Sequence, residues 1–164
     1  MKKIITSIVV FSLLFSMQIK AKNYFVATNG NDTTGTGLIT APYRSIMKAQ
    51  QSVVAGDTVI VRGGTYKMTE AQIALKSGIY AYVLNLDKSG TSTSKRICYW
   101  AYQNEKPVFD LSNVKSANYR VYVFCVKGFY LHFKGLEVIG TQVTITTHTQ
   151  SDGWKLLVQQ YCLS

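Results

Sequence analysis

The chain lacks an apolar run of the ~20 residues that a bilayer span needs. Its longest such stretch, Ile4 to Met17, is uncharged but shorter. Lys2 and Lys3 precede it, and Ile19-Lys20-Ala21 follows with a small residue at its last position. That order fits an export signal. Residues 1–21 are therefore expected to be a signal peptide, with a mature chain from Lys22 in a secreted or periplasmic location. The alternative is an uncleaved membrane anchor. No Cys lies near the cleavage point, so a lipoprotein anchor is not indicated, and no membrane association is expected after cleavage.

Acidic residues are scarce: 8 Asp and Glu face 18 Lys and Arg. No two of the acids are adjacent or two apart. Losing Lys2, Lys3 and Lys20 with the signal leaves 15 basic against 8 acidic groups, a mature balance of +7. The mature basic residues are scattered singly apart from Lys95-Arg96. Without a basic run, a nucleic-acid partner is not expected. A basic exported surface suits an acidic polymer such as a uronic-acid polysaccharide. The plain alternative is a solvated basic surface with no dedicated partner.

Cysteine is limited to Cys98, Cys125 and Cys162, an odd number with no zinc-ligand spacing. Cys98 and Cys125 sit in apolar, strand-like contexts, which predicts buried free thiols. A Cys98–Cys125 disulfide is the alternative and requires facing positions on neighbouring turns of the chain. Proline is rare, at 2, while tyrosine is abundant, at 11. Many Tyr with Val, Ile and Thr favour strands. The mature length suits one domain, expected as a monomer.

Tyr24 to Thr28 reads as a strand. Asn29 to Asp32 and Gly35 to Gly37 read as a loop. Ser45 is a plausible N-cap, and Ile46, Ala49, Val53 and Val54 fall near helical spacing over Ser45 to Val54. Gly56-Asp57 ends that element. Residues 22–57 thus form an N-terminal strand, loop and helix. Over 58–150 strand-like runs recur: Thr58 to Val61, Ile79 to Leu86, Arg96 to Ala101, Pro107 to Leu111, Tyr119 to Val126, Phe129 to Phe133, Leu136 to Ile139 and Val143 to Thr147.

Short strands in series predict either an antiparallel β-sandwich or a solenoid. Two features favour a parallel β-helix solenoid with a short N-terminal capping helix. The Lys-Gly pairs at 127–128 and 134–135 lie seven residues apart and carry no Asn-Gly or Asp-Gly hairpin signal. Sharp solenoid corners suit them. The single helical pattern also stands at the start, where an open sheet edge needs covering. At roughly 20–25 residues per turn, about four turns follow Thr58.

Residues Asn29 to Tyr66 resemble the opening of secreted right-handed parallel β-helix proteins. The matching pieces are Gly30-Asn31-Asp32, Gly35-Thr36, Ala41-Pro42-Tyr43, Ser45-Ile46, Ala49, Gly56-Asp57-Thr58-Val59 and Arg62-Gly63-Gly64-Thr65-Tyr66. Gly128 to Leu131 and Lys134 to Val138 look like a further rung. Within that group the chain is most similar to family-nine pectate lyases, over about Tyr24 to Gln150. The resemblance implies calcium-dependent β-elimination on polygalacturonate or a similar acidic polysaccharide. It also implies a calcium ion held by clustered carboxylates and a Lys base. No residue of this chain matches the calcium cluster or the base, so no catalytic, cofactor-binding or metal residue is assigned. The tail, residues 151–164, departs from the family, which predicts a frameshift or early stop near Ser151. Its alternative is a natural cap with Trp154, Leu157, Val158 and Tyr161 on one face. The rival functions are a non-catalytic acidic-glycan-binding module and a glycoside hydrolase, which needs a carboxylate pair.

Each isolated polar residue has a plainer use. His132 and His148 read as packed or rim residues. Asp57 reads as turn geometry, Arg62 as surface charge, and Lys95-Arg96 as a solvated corner. Asn31-Asp32-Thr33 reads as an Asx-turn. Tyr66, Tyr80, Tyr82, Tyr99, Trp100 and Tyr102 could offer sugar-stacking faces, but alternate members must fill the core.

Overall fold

Alternation of apolar and polar residues sets the strands. The computed structural model describes residues 20–116 and 118–140. The strands are β1 (Asn23–Val26), β2 (Thr58–Val61), β3 (Gly64–Lys67), β4 (Leu75–Ser77) and β5 (Tyr80–Leu86), then β6 (Ile97–Ala101), β7 (Pro107–Asp110), β8 (Arg120–Val126), β9 (Leu131–Lys134) and β10 (Glu137–Ile139). One helix, α1 (Ile46–Ser52), precedes β2. Most of the expected signal peptide, the run Val143 to Thr147 and the tail 151–164 lie outside the described residues.

The strands make three sheets: β1-β2-β6-β9, β3-β7-β10 and β4-β5-β8. Every pairing is parallel except β4 with β5. The chain therefore visits the sheets in turn and returns one strand further along, as a parallel β-helix does. An antiparallel sandwich is excluded. Asn23 pairs with Thr58, Thr58 with Cys98, and Cys98 with His132. One turn thus takes 35, 40 and 34 residues, longer than the 20–25 expected. The excess lies in the loops between sheets and, before β2, in the N-terminal loop and α1. The run Tyr119 to Val126 does not continue the sheet of the run Arg96 to Ala101. It is β8, on the third sheet, and the next strand of the first sheet is β9.

Inward side chains stack in columns. Val59 pairs with Tyr99, and Tyr99 with Phe133, whose rings lie 5.3 Å apart at 13°. Tyr66 stacks on Phe109 at 5.2 Å. Phe124 of the third sheet then touches both Phe109, at 6.2 Å, and Phe133, at 5.6 Å. These three phenylalanines join all three sheets at the centre of the coil. Phe109 is fully buried, which stabilises the fold by ~1.5–3 kcal/mol, while Phe124 and Phe133 are partly buried and contribute less.

The corners between sheets are tight. Lys127-Gly128 joins β8 to β9, and Lys134-Gly135 joins β9 to β10. A Cβ on Gly128 would sit 2.0 Å from the Lys88 carbonyl oxygen, and Gly135 has φ +72°. Two elements were not foreseen. Gly64 opens β3 directly after the Arg62-Gly63 corner. β4 pairs back on β5 and covers the first edge of the third sheet, blunting an exposed strand edge.

α1 caps the first turn. Ile46, Ala49 and Val53 are buried, whereas Val54 lies beyond the helix and is 48% exposed. Ser45 Oγ accepts from Lys48 N at 3.1 Å, as expected of an N-cap. Asp32 holds that cap in place, accepting from Arg44 N, Ser45 N and Ser45 Oγ at 2.7, 3.0 and 2.6 Å. Among the described residues no helix is long and apolar enough to cross a membrane.

Candidate functional site

The first sheet turns one face inward and one face outward. Its strands put Val59 and Val61 inside and Ile60 outside, Tyr99 inside and Trp100 outside. Register aligns Phe25, Ile60, Trp100 and Lys134 across all four outward strands. Arg62 and Tyr102 stand two residues beyond Ile60 and Trp100 and keep the same direction. Arg62 N donates to Val26 O at 2.8 Å and Tyr102 N to Val61 O at 2.9 Å, so the ladder runs on to the corner.

At that corner Arg62 and Glu105 form a two-pronged ion pair. Nε lies 2.8 Å from Oε2 and Nη2 lies 2.9 Å from Oε1. Gly63 N also donates to Oε2 at 2.6 Å. These donors hold the Glu105 carboxyl below its ordinary range, first through Arg62 and then through the Gly63 amide. The Arg62 guanidinium lies 4.7 Å above the Tyr102 ring, and Phe25 meets that ring edge-on at 6.0 Å. Beside the pair is an open pocket of ≈ 430 Å³ lined by Ala27, Thr28, Asn29, Arg62, Gly63 and Glu105. Arg62 is thus half of a corner ion pair, not the plain surface charge expected from its sequence context. Its partner lies 43 residues away on the next turn, which no local pattern reveals.

The six aromatics singled out from sequence divide cleanly. Tyr66 and Tyr99 are core, at 7% and 0% exposure. Burial raises both phenols well above their ordinary pKa. Tyr99 OH donates to the buried Gln50, whose Nε2 donates to Asp87 at 3.2 Å. Trp100 and Tyr102 remain half-buried on the outward face. Tyr80 and Tyr82 form a separate group with Tyr122 on the third sheet, with centroids 5.6–6.3 Å apart. His132 is exposed, and its Nδ1 accepts from Trp100 Nε1 at 2.7 Å.

The remaining single residues are structural. Asp57 is 1% exposed and accepts from Lys22 N and Val54 N at 2.8 and 2.9 Å. Asn31 Oδ1 accepts from Thr33 N and Thr34 N, the expected Asx-turn. Lys95 and Arg96 are exposed, and His148 lies outside the described residues. Cys98 is a half-buried free thiol. Cys125 is buried but disulfide-bonded, which corrects the free-thiol expectation. It is not joined to Cys98. The two stand in different sheets, so the facing positions that such a bridge needs do not arise.

The described residues do not fit a calcium ion. Asp32, Asp57, Glu105 and Asp110 spend oxygens on backbone amides, and Asp87 accepts from Gln50. No group of three or more His, Cys, Asp or Glu among the described residues could hold a metal. A hard cation needs six to eight converging oxygens.

Comparison with known proteins accounts for the coil. A rhamnogalacturonan lyase superposes over 80% of this chain with a TM-score of 0.70 and 43% identity. A pectate lyase, Pel9A, superposes over 73% with a TM-score of 0.53 and 28% identity. The pectate lyase PEL9 of Emericella nidulans is 32% identical over 104 residues, 63% of this chain. The chain spans only 22% of that relative, and 31% and 28% of the two structures. A family model described as Pel9A-like, right handed beta helix region, matches residues 24–160. With five-sixths of its length inside that match, the chain belongs to the Pel9A-like right-handed β-helix family.

Proposed function

We propose that this chain is part of an exported enzyme that cleaves a galacturonate-containing pectic polymer by β-elimination. On this reading the described turns bind the polymer and residues outside them supply the reacting groups. The observation that carries it is the 43% identity and 0.70 TM-score to a rhamnogalacturonan lyase over four-fifths of the chain. The pectate lyase relatives point to the same class of polymer.

The chemistry explains the division of labour. A base takes the proton at C5, and the C4 oxygen leaves as a double bond forms between C4 and C5. The C5 proton is weakly acidic, so the adjacent carboxylate must be neutralised, which in the resembled family is the work of calcium. The carboxylates described above are turned to caps and corners instead. No step of the elimination is assigned to them. What the described part offers is a basic balance and an outward aromatic face, both suited to a polyanion.

Incubating the 164-residue protein with calcium and either polygalacturonate or rhamnogalacturonan tests this. The expected result is retention of the acidic polymers without the ultraviolet absorbance of an unsaturated uronate product. Appearance of that product would put the reacting groups within this chain and overturn the division of labour. New reducing ends without the double bond would replace the lyase reading with a hydrolase. Failure to retain either polymer would remove the pectic reading altogether.

A further inference from the structure

Resting on the pectic reading above, we propose that the outward face of the four-stranded sheet is a docking surface for a galacturonate chain. Trp100 and Tyr102 supply its stacking rings, and Lys134 its carboxylate partner. Phe25, Ile60, Trp100 and Lys134 stand side by side across four strands. Neighbouring strands lie ~4.8 Å apart, so this row runs roughly 15 Å along the coil axis. A polymer lying along that axis meets a ring or an aliphatic side chain on successive turns.

The rings are held before any ligand arrives. Trp100 is tethered by its Nε1 bond to His132. Tyr102 is fixed by the Arg62 guanidinium at 4.7 Å and by Phe25 at 6.0 Å. Arg62 is itself locked by Glu105, so its charge serves the scaffold. Rings held this way lose little freedom on binding. Trp100 and Tyr102 nevertheless stay half-exposed, where the C–H face of a sugar ring can cover them.

Charge picks this sheet over its neighbour. Lys134 is exposed, and among the described residues it has no acidic partner. The outward positions of the second sheet carry Asp110 and Glu137 against Lys67 alone, a balance that would repel a uronate. An acidic polysaccharide is therefore matched by the first sheet in both shape and sign.

Calorimetric titration of the 164-residue protein with galacturonate oligomers, and with neutral xylose oligomers, tests the surface. Trp100→Ala and Tyr102→Ala should each weaken galacturonate binding about tenfold, the scale of an aromatic anchor. Lys134→Gln should weaken it several-fold and flatten its salt dependence. Lys76→Gln, which removes the same charge beside Tyr119 on the third sheet, should leave it unchanged. Lys134 is exposed, so its variant keeps the test sound even if a ring variant unfolds. Wild-type affinity in all three face variants would overturn this surface and leave the pectic reading intact. A wild-type preference for neutral oligomers would overturn the pectic reading and this surface with it.

Discussion

The two faces of the four-stranded sheet are built from the same strands in strict alternation, yet they carry different information. Inside, Val59 and Tyr99 are closed to water, and the partly buried Phe133 stacks on Tyr99. Outside, Ile60, Trp100 and Lys134 stand one residue along each strand and meet solvent. The inner set explains why the chain coils. Trp100 and Lys134 of the outer set are not needed to fill the core, so they point to what the coil meets. A solenoid makes this separation sharp, because each strand contributes equally to core and surface.

Substitutions should reproduce that division. The largest effect is expected at Tyr99. Tyr99→Ala opens a cavity and strips the buried Gln50 of its donor, which should cost about 3–5 kcal/mol in chemical denaturation. Trp100→Ala, next to it, should cost less than about 1 kcal/mol, since the indole is half-exposed. Equal losses at the two positions would break the comparison.

Gly128→Ala asks whether the corners are as exacting as the core. Its Cβ would lie 2.0 Å from a backbone oxygen that cannot swing aside. Backbone displacement there should cost about 2–3 kcal/mol, read as a lower unfolding midpoint. Ser45→Ala removes the N-cap acceptor of α1 and leaves Asp32 without one donor. A loss of about 1 kcal/mol is expected, confined to the capped end and visible as faster amide exchange in residues 46–53.

The smallest effect concerns acid. Arg62 and Gly63 hold the Glu105 carboxyl below its ordinary pKa. Its contribution is therefore complete above the ordinary carboxylate range and disappears as pH falls through the lowered folded value. Glu105→Gln should lower the thermal midpoint slightly at neutral pH and flatten its decline in acid. An identical acid profile in the variant would show that the pair does not couple to folding. Both partners are about one-third exposed, at 35% and 32%, so the effect is modest.

Much of the coil was legible in the sequence because its signals are local. The strand at Thr58 to Val61, the Ser45 cap and the two Lys-Gly corners each announce themselves within a few residues. β3 was missed because Gly63-Gly64 resembles a plain turn and only Tyr66 of that strand points inward. The length of a turn was underestimated because loops of very different size separate the strands. The outward face was legible only in part. Trp100 and Tyr102 were visible as aromatics, but parity alone could not say which tyrosines faced out. Phe25, Arg62, Tyr102 and Glu105 meet across distances that only register fixes.

The most direct measurement pairs stability with binding in Tyr99→Ala and Trp100→Ala, two neighbours on one strand. Each variant is unfolded by denaturant and then titrated with galacturonate oligomers under folding conditions. The expected result is a crossing. Tyr99→Ala loses several kcal/mol of stability, whereas Trp100→Ala keeps its midpoint and loses about tenfold in affinity. If Trp100→Ala binds as the wild type does, or unfolds as readily as Tyr99→Ala, the division between a structural inner face and a glycan-facing outer face is contradicted.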